Sequence, residues 1–127
     1  MSRRLSVLVV DDDVRQAHLL AEAVGRMGHP AQVSTNPEAA LELLQKEVFN
    51  LVITDMRMPG IDGLSFLRQI KALDADTEVI LVTAYASVGS AVEAIKIGAV
   101  DYFEKPVNLA WLEAKIMAIA EKVVLRA

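Results

Sequence analysis

Two hydrophobic periodicities alternate five times along the chain, and this alternation constrains the fold more than any other feature. Short runs of apolar, often β-branched residues predict strands at residues 5–10, 31–35, 51–54, 79–83 and 100–103. After each run, apolar residues recur every three or four positions, which predicts a helix. The five apolar stripes are Val14, Ala17, Ala21, Val24 and Met27; Pro37, Ala40, Leu41 and Leu44; Leu64, Leu67, Ile70 and Ala72; Val88, Ala91, Val92 and Ile95; and Leu109, Leu112, Ile116, Ile119 and Val123.

Capping residues mark the limits of two of these helices. Thr35 or Asn36 precedes Pro37, which is a favoured residue at the first position of a helix. Ser87 is a suitable N-cap for the fourth helix, and Gly98 is a suitable residue to end it. The sequence therefore predicts where the second and fourth helices begin.

The order of strand then helix, repeated five times, predicts an α/β fold with a parallel sheet covered by helices on both faces. We expect a flavodoxin-like, doubly wound sheet of five strands in the order 2-1-3-4-5, with five helices. Right-handed crossovers bring the loops that follow the strands to one edge of the sheet. Ligands of such sheets bind in the crevice at that edge.

Length and composition fit one domain spanning residues 1–127. The last helix, predicted at about residues 107–126, either ends there or continues into a linker of a longer protein. Cysteine is absent, which excludes disulfides and thiolate metal sites and favours a cytoplasmic location. The net charge of −4 argues against direct nucleic-acid contact by this domain. No apolar run approaches the length of a membrane span, so no membrane association is expected.

Acidic residues follow two strands that the predicted order makes neighbours. Asp11, Asp12 and Asp13 follow the first strand, and Asp55 follows the third. Converging carboxylates repel one another, and a hard divalent cation such as Mg²⁺ is the usual remedy. The simpler interpretation is that the first three acids cap the following helix. Asp13 suits that role, but capping needs only one acid, so a metal site is favoured.

Two further side chains lie at the carboxyl ends of the fourth and fifth strands, at the same edge. Thr83 ends the fourth strand, and Lys105 follows the fifth. Taken singly, such a threonine is more often an ordinary strand-end residue, and such a lysine is more often solvated. Taken together with the acids and a metal, a hydroxyl and an ammonium are the groups needed to transfer a phosphoryl group to a carboxylate.

Four ordered motifs closely resemble the receiver domains of response regulators. They are VLVVDDD at residues 7–13, ITDMRMPG at 53–60, VTA at 82–84 and YFEKP at 102–106. The segments TAYAS at 83–87, AVEA at 91–94 and GAVDY at 98–102 resemble receivers of the NtrC type. Such receivers precede ATPases that activate the nitrogen-type sigma factor, so the resemblance implies a role in transcription regulation.

The resemblance implies that Asp55 accepts a phosphoryl group from a sensor histidine kinase. It also implies that Mg²⁺, or Mn²⁺, is bound by Asp55, by Asp12 directly and by Asp11 mainly through water. The backbone carbonyl of Arg57 is the further implied ligand. Beyond taking and losing its own phosphoryl group, a receiver is not expected to be an enzyme.

In the same family pattern, Lys105 pairs with the acceptor carboxylate and later with a phosphoryl oxygen. Thr83 donates its hydroxyl to another phosphoryl oxygen, and Tyr102 is the second member of a coupled Thr/Tyr switch. The Lys105–Pro106 peptide bond is implied to be cis. For Tyr102, the alternative is an ordinary half-buried aromatic residue on a strand.

The side chains of Arg57 and Tyr85 are expected to flank the approach of the water that hydrolyses the acyl phosphate. They should therefore tune the lifetime of the phosphorylated state. An aspartyl-nucleophile, Mg²⁺-dependent phosphatase is the enzyme alternative. Such an enzyme requires an acid two residues after the nucleophile, where this chain has Arg57.

The predicted output surface comprises the fourth helix, the fifth strand and the fifth helix. Candidate exposed apolar residues there are Ile95, Ile97, Trp111 and Met117, with Trp111 equally suited to the core. We expect this surface to form a homodimer or to contact an output domain or effector. A stand-alone receiver, or an interaction module that no longer takes phosphate, is the remaining alternative.

Overall fold

The structure, a computed structural model, describes residues 4–126 and the side chains of residues 4–123. The ends of the predicted domain, residues 1–3 and 127, lie outside the described residues. The main sheet contains β1 (Val7–Val10), β2 (Ala31–Ser34), β3 (Leu51–Asp55), β4 (Glu78–Thr83) and β5 (Asp101–Glu104). The helices are α1 (Val14–Arg26), α2 (Pro37–Lys46), α3 (Gly63–Leu73), α4 (Val88–Ile97) and α5 (Leu109–Arg126).

All five strands are parallel and lie in the order β2-β1-β3-β4-β5. This confirms the predicted flavodoxin-like sheet. A short hairpin between β3 and α3 pairs Arg57–Met58 with Ile61–Asp62. Its turn contains Gly60, whose φ of +88° is a conformation that glycine adopts readily.

The register of the sheet determines which residues meet at its carboxyl edge. Val10 lies opposite Thr54, and Asp55 lies opposite Val82. Thr83, the last residue of β4, lies opposite Glu104. The residues that follow β1, β3 and β5 therefore emerge close to one another.

Two apolar layers cover the two faces of the sheet. Val7 and Val9 pack in one layer with buried residues of α1 and α5, whereas Leu8 and Val10 pack in the other with residues of α2, α3 and α4. All four residues of β1 are buried. A strand covered on both faces needs apolar residues at every position, which explains the continuous run at residues 7–10.

The helix caps largely follow the sequence prediction. Asn36, rather than Thr35, caps α2 by accepting hydrogen bonds from two backbone N–H groups. Ser87 caps α4, and Gly98 ends it with a φ of +126°. The last helix begins at Leu109 rather than near residue 107, because Asn108 caps it by accepting a hydrogen bond from the N–H of Trp111.

The apolar stripe of α4 lies largely on the exposed side of the helix. Val88 is 83% exposed, and Val92 and Ile95 are also exposed. The buried residue of this helix is Ala94, whose short side chain allows a close approach to the sheet. Periodicity identifies residues that share a face, but it does not say which face is covered.

Individual stripe residues of other helices are also exposed, namely Val14, Ala72 and Leu109. All three lie at or near the ends of their helices. Of the candidate surface residues, Ile95, Met117 and Trp111 are exposed, the last by 67%. Ile97 is partly buried against the core.

Strand β5 runs one residue later than predicted, over Asp101–Glu104. Among the described helices, none has both the length and the apolar composition needed to cross a bilayer.

His29 gives the fold a pH-dependent component. Its buried Nδ1 accepts a hydrogen bond from the N–H of Leu5 at 2.9 Å, which requires a neutral ring. Burial, and secondly the charge of Arg4, lower the pKa of His29 below its ordinary value of 6.5. Because the unfolded chain then binds the proton more readily, stability present above pH 6.5 is lost as the pH falls toward the folded-state pKa.

We therefore expect the wild type to lose more free energy of unfolding between about pH 7.5 and about pH 5.5 than a His29→Asn variant. The asparagine carboxamide can accept the same hydrogen bond and does not titrate. Urea denaturation at both pH values measures the difference. His18→Asn, on the exposed side of α1, is the control for the loss of a histidine at the surface. Equal pH dependence in the wild type and His29→Asn would contradict the assignment.

Candidate functional site

Three carboxylates converge at the carboxyl edge of the sheet. Asp11 and Asp12 follow β1, and Asp55 ends β3. One carboxylate oxygen from each residue lies within 4.8 Å of the others. Asp11 and Asp55 are buried, and Asp12 is exposed. The sheet thus creates a concentrated negative charge that is open to solvent on one side.

Asp11 is held on both of its oxygens. Its Oδ1 accepts a hydrogen bond from the N–H of Asp13 at 2.9 Å, and its Oδ2 accepts one from Lys105 at 3.0 Å. Burial raises the pKa of Asp11, and the charge of Asp55 adds to that rise. The two hydrogen bonds oppose the rise without cancelling it. The carboxyl group therefore lies in a site where an additional positive charge would be favourable.

Lys105 supplies the positive charge opposite the acids. Its Nζ lies 2.7 Å from Asp55 Oδ2, 3.0 Å from Asp11 Oδ2 and 2.7 Å from Gln16 Oε1. Burial by itself lowers the pKa of Lys105, but its bonds to Asp55 and Asp11 outweigh burial and raise it. The ammonium group is therefore firmly charged at neutral pH.

The backbone around Lys105 fixes where its side chain starts. The N–H of Lys105 donates to the carbonyl of Thr83 at 2.8 Å, which extends the pairing of β4 and β5 by one bond. The Lys105–Pro106 peptide bond is cis. Lys105 follows the last residue of β5, and its side chain crosses the edge of the sheet to reach Asp55 and Asp11.

Asp55 is also held on both oxygens. Its Oδ2 accepts a hydrogen bond from Lys105, and its Oδ1 accepts one from the N–H of Arg57 at 2.9 Å.

The guanidinium group of Arg57 stacks over the ring of Tyr85, 4.4 Å from its centroid. Both side chains are exposed. This cation–π pair links the hairpin that follows β3 to the loop that follows β4.

The hydroxyl groups of Thr83 and Tyr102 form hydrogen bonds with residues other than the three acids. The Thr83 hydroxyl is fully buried and accepts a hydrogen bond from the N–H of Tyr85 at 3.0 Å. The Tyr102 hydroxyl lies 2.7 Å from the hydroxyl of Ser90 on α4. In this arrangement, the threonine is engaged in its own turn and the tyrosine is anchored to the first turns of α4.

Sequence reasoning missed Gln16 and Ser90. Neither belongs to a motif, and each contacts a residue far away in the chain. Gln16 does carry a sequence signal, because it lies three residues after the N-cap Asp13, as in a capping box. That signal predicts a local bond to backbone, not the observed contact with Lys105.

The donor set suits a hard divalent cation. Asp11, Asp12 and Asp55 offer only carboxylate oxygens, and Mg²⁺ binds few protein oxygens while retaining several waters. The carbonyl of Arg57 lies two residues after Asp55, in the adjoining hairpin. The residues present therefore fit Mg²⁺ or Mn²⁺ better than a soft metal.

Comparisons with known proteins agree on one family. The family model described as "Response regulator receiver domain" matches residues 7–117. The transcriptional regulatory protein ZraR of Escherichia coli (strain K12) is 39% identical over 112 residues, which are 88% of this chain and 25% of that protein. The chain thus spans about a quarter of the length of the curated relatives it matches.

Two solved structures are similar over most of the chain. A response regulator protein from Burkholderia pseudomallei, with a phosphorylated aspartic acid and a calcium ion, is 31% identical with a TM-score of 0.83, covering 96% of this chain and 72% of that one. The beryllofluoride-activated NtrC4 receiver domain dimer is 31% identical with a TM-score of 0.87, covering 92% and 97%. The likeness therefore extends from single motifs to the whole fold.

Proposed function

This chain belongs to the response regulator receiver domain family, and from that premise we propose that it is the phosphoryl-accepting switch of a cytoplasmic two-component pathway. The proposed phosphodonor is a sensor histidine kinase, and the proposed acceptor is Asp55. The observation that carries the proposal is the position of the Asp55 carboxylate, which lies beside two further acids and 2.7 Å from the Lys105 ammonium. The phosphorylated aspartic acid in the similar Burkholderia protein supports it.

In the proposed reaction, a carboxylate oxygen of Asp55 attacks the phosphorus of a phosphohistidine. The new O–P bond forms as the P–N bond breaks, and the leaving imidazole takes a proton from water. A carboxylate is already ionised at neutral pH, so the site needs to position groups and balance charge, not to remove a proton. The N–H of Arg57 and the ammonium of Lys105 orient the carboxylate for attack.

Asp11, Asp12, Asp55 and the carbonyl of Arg57 are the proposed ligands of Mg²⁺ or Mn²⁺. The bound cation would neutralise charge on the transferred phosphoryl oxygens. Lys105 would bond one of these oxygens, because its ammonium already lies against the acceptor. Thr83 would bond another after its hydroxyl leaves the N–H of Tyr85.

The stacked Arg57 and Tyr85 side chains are proposed to set the lifetime of the acyl phosphate. Both side chains are exposed, and they belong to the two different loops that follow β3 and β4. A hydrolytic water approaching from solvent would pass beside them. A weaker stack between Arg57 and Tyr85 should therefore shorten the lifetime of the acyl phosphate.

We propose that the signal reaches the surface formed by α4, β5 and α5. Movement of Thr83 toward the phosphoryl group would open space for Tyr102, which must first leave Ser90. Phosphorylation can bias such states only through its different interaction energy with each. The exposed Ile95, Trp111 and Met117 make this surface suitable for a second copy or an output domain. The similar ZraR is a transcriptional regulatory protein, which supports transcription control, and the similar NtrC4 receiver is a dimer, which supports pairing with a second copy. A nitrogen-type sigma-factor activator is the proposed output, because the chain resembles receivers of the NtrC type.

The proposal is tested by incubating the protein with acetyl phosphate and Mg²⁺. We expect one phosphoryl group per chain by intact mass, removed by hydroxylamine as an acyl phosphate should be, and none when EDTA is present. Absence of this label in folded protein would refute the proposal. Continuous turnover of p-nitrophenyl phosphate would instead indicate a phosphatase.

Metal binding should be visible as a change in stability. We expect Mg²⁺ at tenfold its Kd to stabilise the wild type by about 1.4 kcal/mol, a rise in Tm of about 5 °C. Asp12→Asn should lose most of that rise while remaining folded, because it removes one charge from a repulsive cluster. Glu113→Gln, on an exposed part of α5, is the charge-matched control. An unchanged Mg²⁺ response in Asp12→Asn would contradict the ligand assignment.

A further inference from the structure

Gln16 is the third partner of the Lys105 ammonium. Its Oε1 lies 2.7 Å from Lys105 Nζ, as close as the oxygen of Asp55. Gln16 is in the first turn of α1 and is exposed. A neutral, solvent-exposed acceptor thus shares the ammonium with two buried carboxylates.

The local role that its position suggests is already filled. A glutamine three residues after an N-cap normally accepts the backbone N–H of the capping residue. Here the N–H of Asp13 donates to Asp11 Oδ1 at 2.9 Å. Because that donor is taken, the Gln16 side chain has no capping bond to make and extends to Lys105 instead.

The three contacts use all of the donors of Lys105. An ammonium group has three N–H donors and no acceptor. All three bonds are charge-assisted because their donor is an ammonium, but only the bonds to Asp11 and Asp55 also join opposite charges. The bond to the neutral Gln16 amide is therefore the weakest of the three. A newly arrived phosphoryl oxygen would therefore displace Gln16 more easily than either acid, and water could solvate the released amide.

We propose that Gln16 is a positioning residue, which occupies the third donor of Lys105 until a phosphoryl oxygen replaces it. The inference rests on the proposed function, because it needs a phosphoryl group at Asp55. It follows that the residue at position 16 sets how strongly the site competes for phosphoryl oxygens. A stronger acceptor at this position should weaken phosphoryl binding, and a side chain without an acceptor should strengthen it.

Gln16→Glu and Gln16→Met test this, since both side chains resemble glutamine in length. The probes are beryllofluoride affinity and the rate of labelling by acetyl phosphate, each at saturating Mg²⁺ determined separately for each variant. We expect Gln16→Glu to weaken binding and slow labelling about tenfold, because a charged acceptor holds the donor more tightly. We expect Gln16→Met to tighten binding about three- to tenfold, because no protein bond has to be displaced.

The same two substitutions at Gln69, an exposed glutamine of α3, are the controls and should leave both probes unchanged. In the wild type, the side-chain amide signals of Gln16 should shift when beryllofluoride is added, and those of Gln69 should not. Thermal unfolding verifies that each variant is folded.

Opposite effects of the two Gln16 variants, together with the amide shift, would support the inference. A loss of affinity in both variants would indicate a merely structural role and overturn it. Unchanged affinities in Gln16 variants that acetyl phosphate still labels would also overturn the inference. In that case the proposed function would stand. If the wild type itself accepted no phosphoryl group, the proposed function would fail and this inference with it.

Discussion

Asp55→Asn should reduce acid-labile phosphate incorporation from acetyl phosphate by at least about 10³-fold, because a carboxamide lacks the charged oxygen that attacks phosphorus. The substitution should leave the fold intact. The amide oxygen can still accept the N–H of Arg57, and Lys105 keeps its contacts with Asp11 and Gln16. It also removes one of three converging negative charges. Intact-mass analysis after incubation with acetyl phosphate and Mg²⁺ measures the loss.

Asp74→Asn is a closely matched control for this substitution. The Asp74 Oδ1 accepts the N–H of the residue two positions later at 2.9 Å, as the Asp55 Oδ1 does. Asp74 is exposed in the loop between α3 and β4, which lies at the opposite edge of the sheet. We expect this variant to label at the wild-type rate. Labelling of Asp55→Asn at that same rate would show that another residue is the acceptor, and peptide mass mapping would locate it.

Gly63→Ala should destabilise the fold by about 2–3 kcal/mol, a fall in Tm of about 10 °C. Gly63 begins α3 and packs against the residue that follows Asp55. A Cβ at this position would lie 2.5 Å from the carbonyl oxygen of Met56 and 2.6 Å from its Cα. These are backbone atoms, and the N–H of Gly63 also donates to that carbonyl oxygen at 3.0 Å. The clash can be relieved only if the hairpin or the helix moves.

Because Met56 adjoins Asp55, the same movement should also slow phosphoryl labelling. Gly25→Ala is the control, and we expect it to raise the free energy of unfolding. An added Cβ there meets nothing within 4 Å, and Gly25 lies inside α1, where alanine is favoured over glycine by about 0.5–1 kcal/mol. Urea denaturation of both variants provides the comparison. A Gly63→Ala variant as stable as the wild type would show that the approach of α3 to Met56 is not tight.

The site shows how far strand-end chemistry can be predicted without coordinates. Because β1 and β3 are parallel neighbours, acids that follow them must meet, and Asp11, Asp12 and Asp55 do so. The position of Lys105 after the fifth strand predicted only that it lies at the same edge, and the resemblance to receiver domains implied its pairing with Asp55. The contacts of Gln16 and Ser90 were not predictable, since both depend on side-chain directions across neighbouring elements.

The sequence by itself determined the order of the strands and helices, the packing of helices on both faces of the sheet and the edge at which its charged residues meet. Each of these follows from local periodicity and from the rules of parallel connection. Only the tertiary structure decided that the apolar stripe of α4 faces outward, that Gln16 reaches Lys105 and that α3 needs Gly63. Periodicity groups residues on one face of an element, whereas burial and contact depend on what the neighbouring elements place against that face.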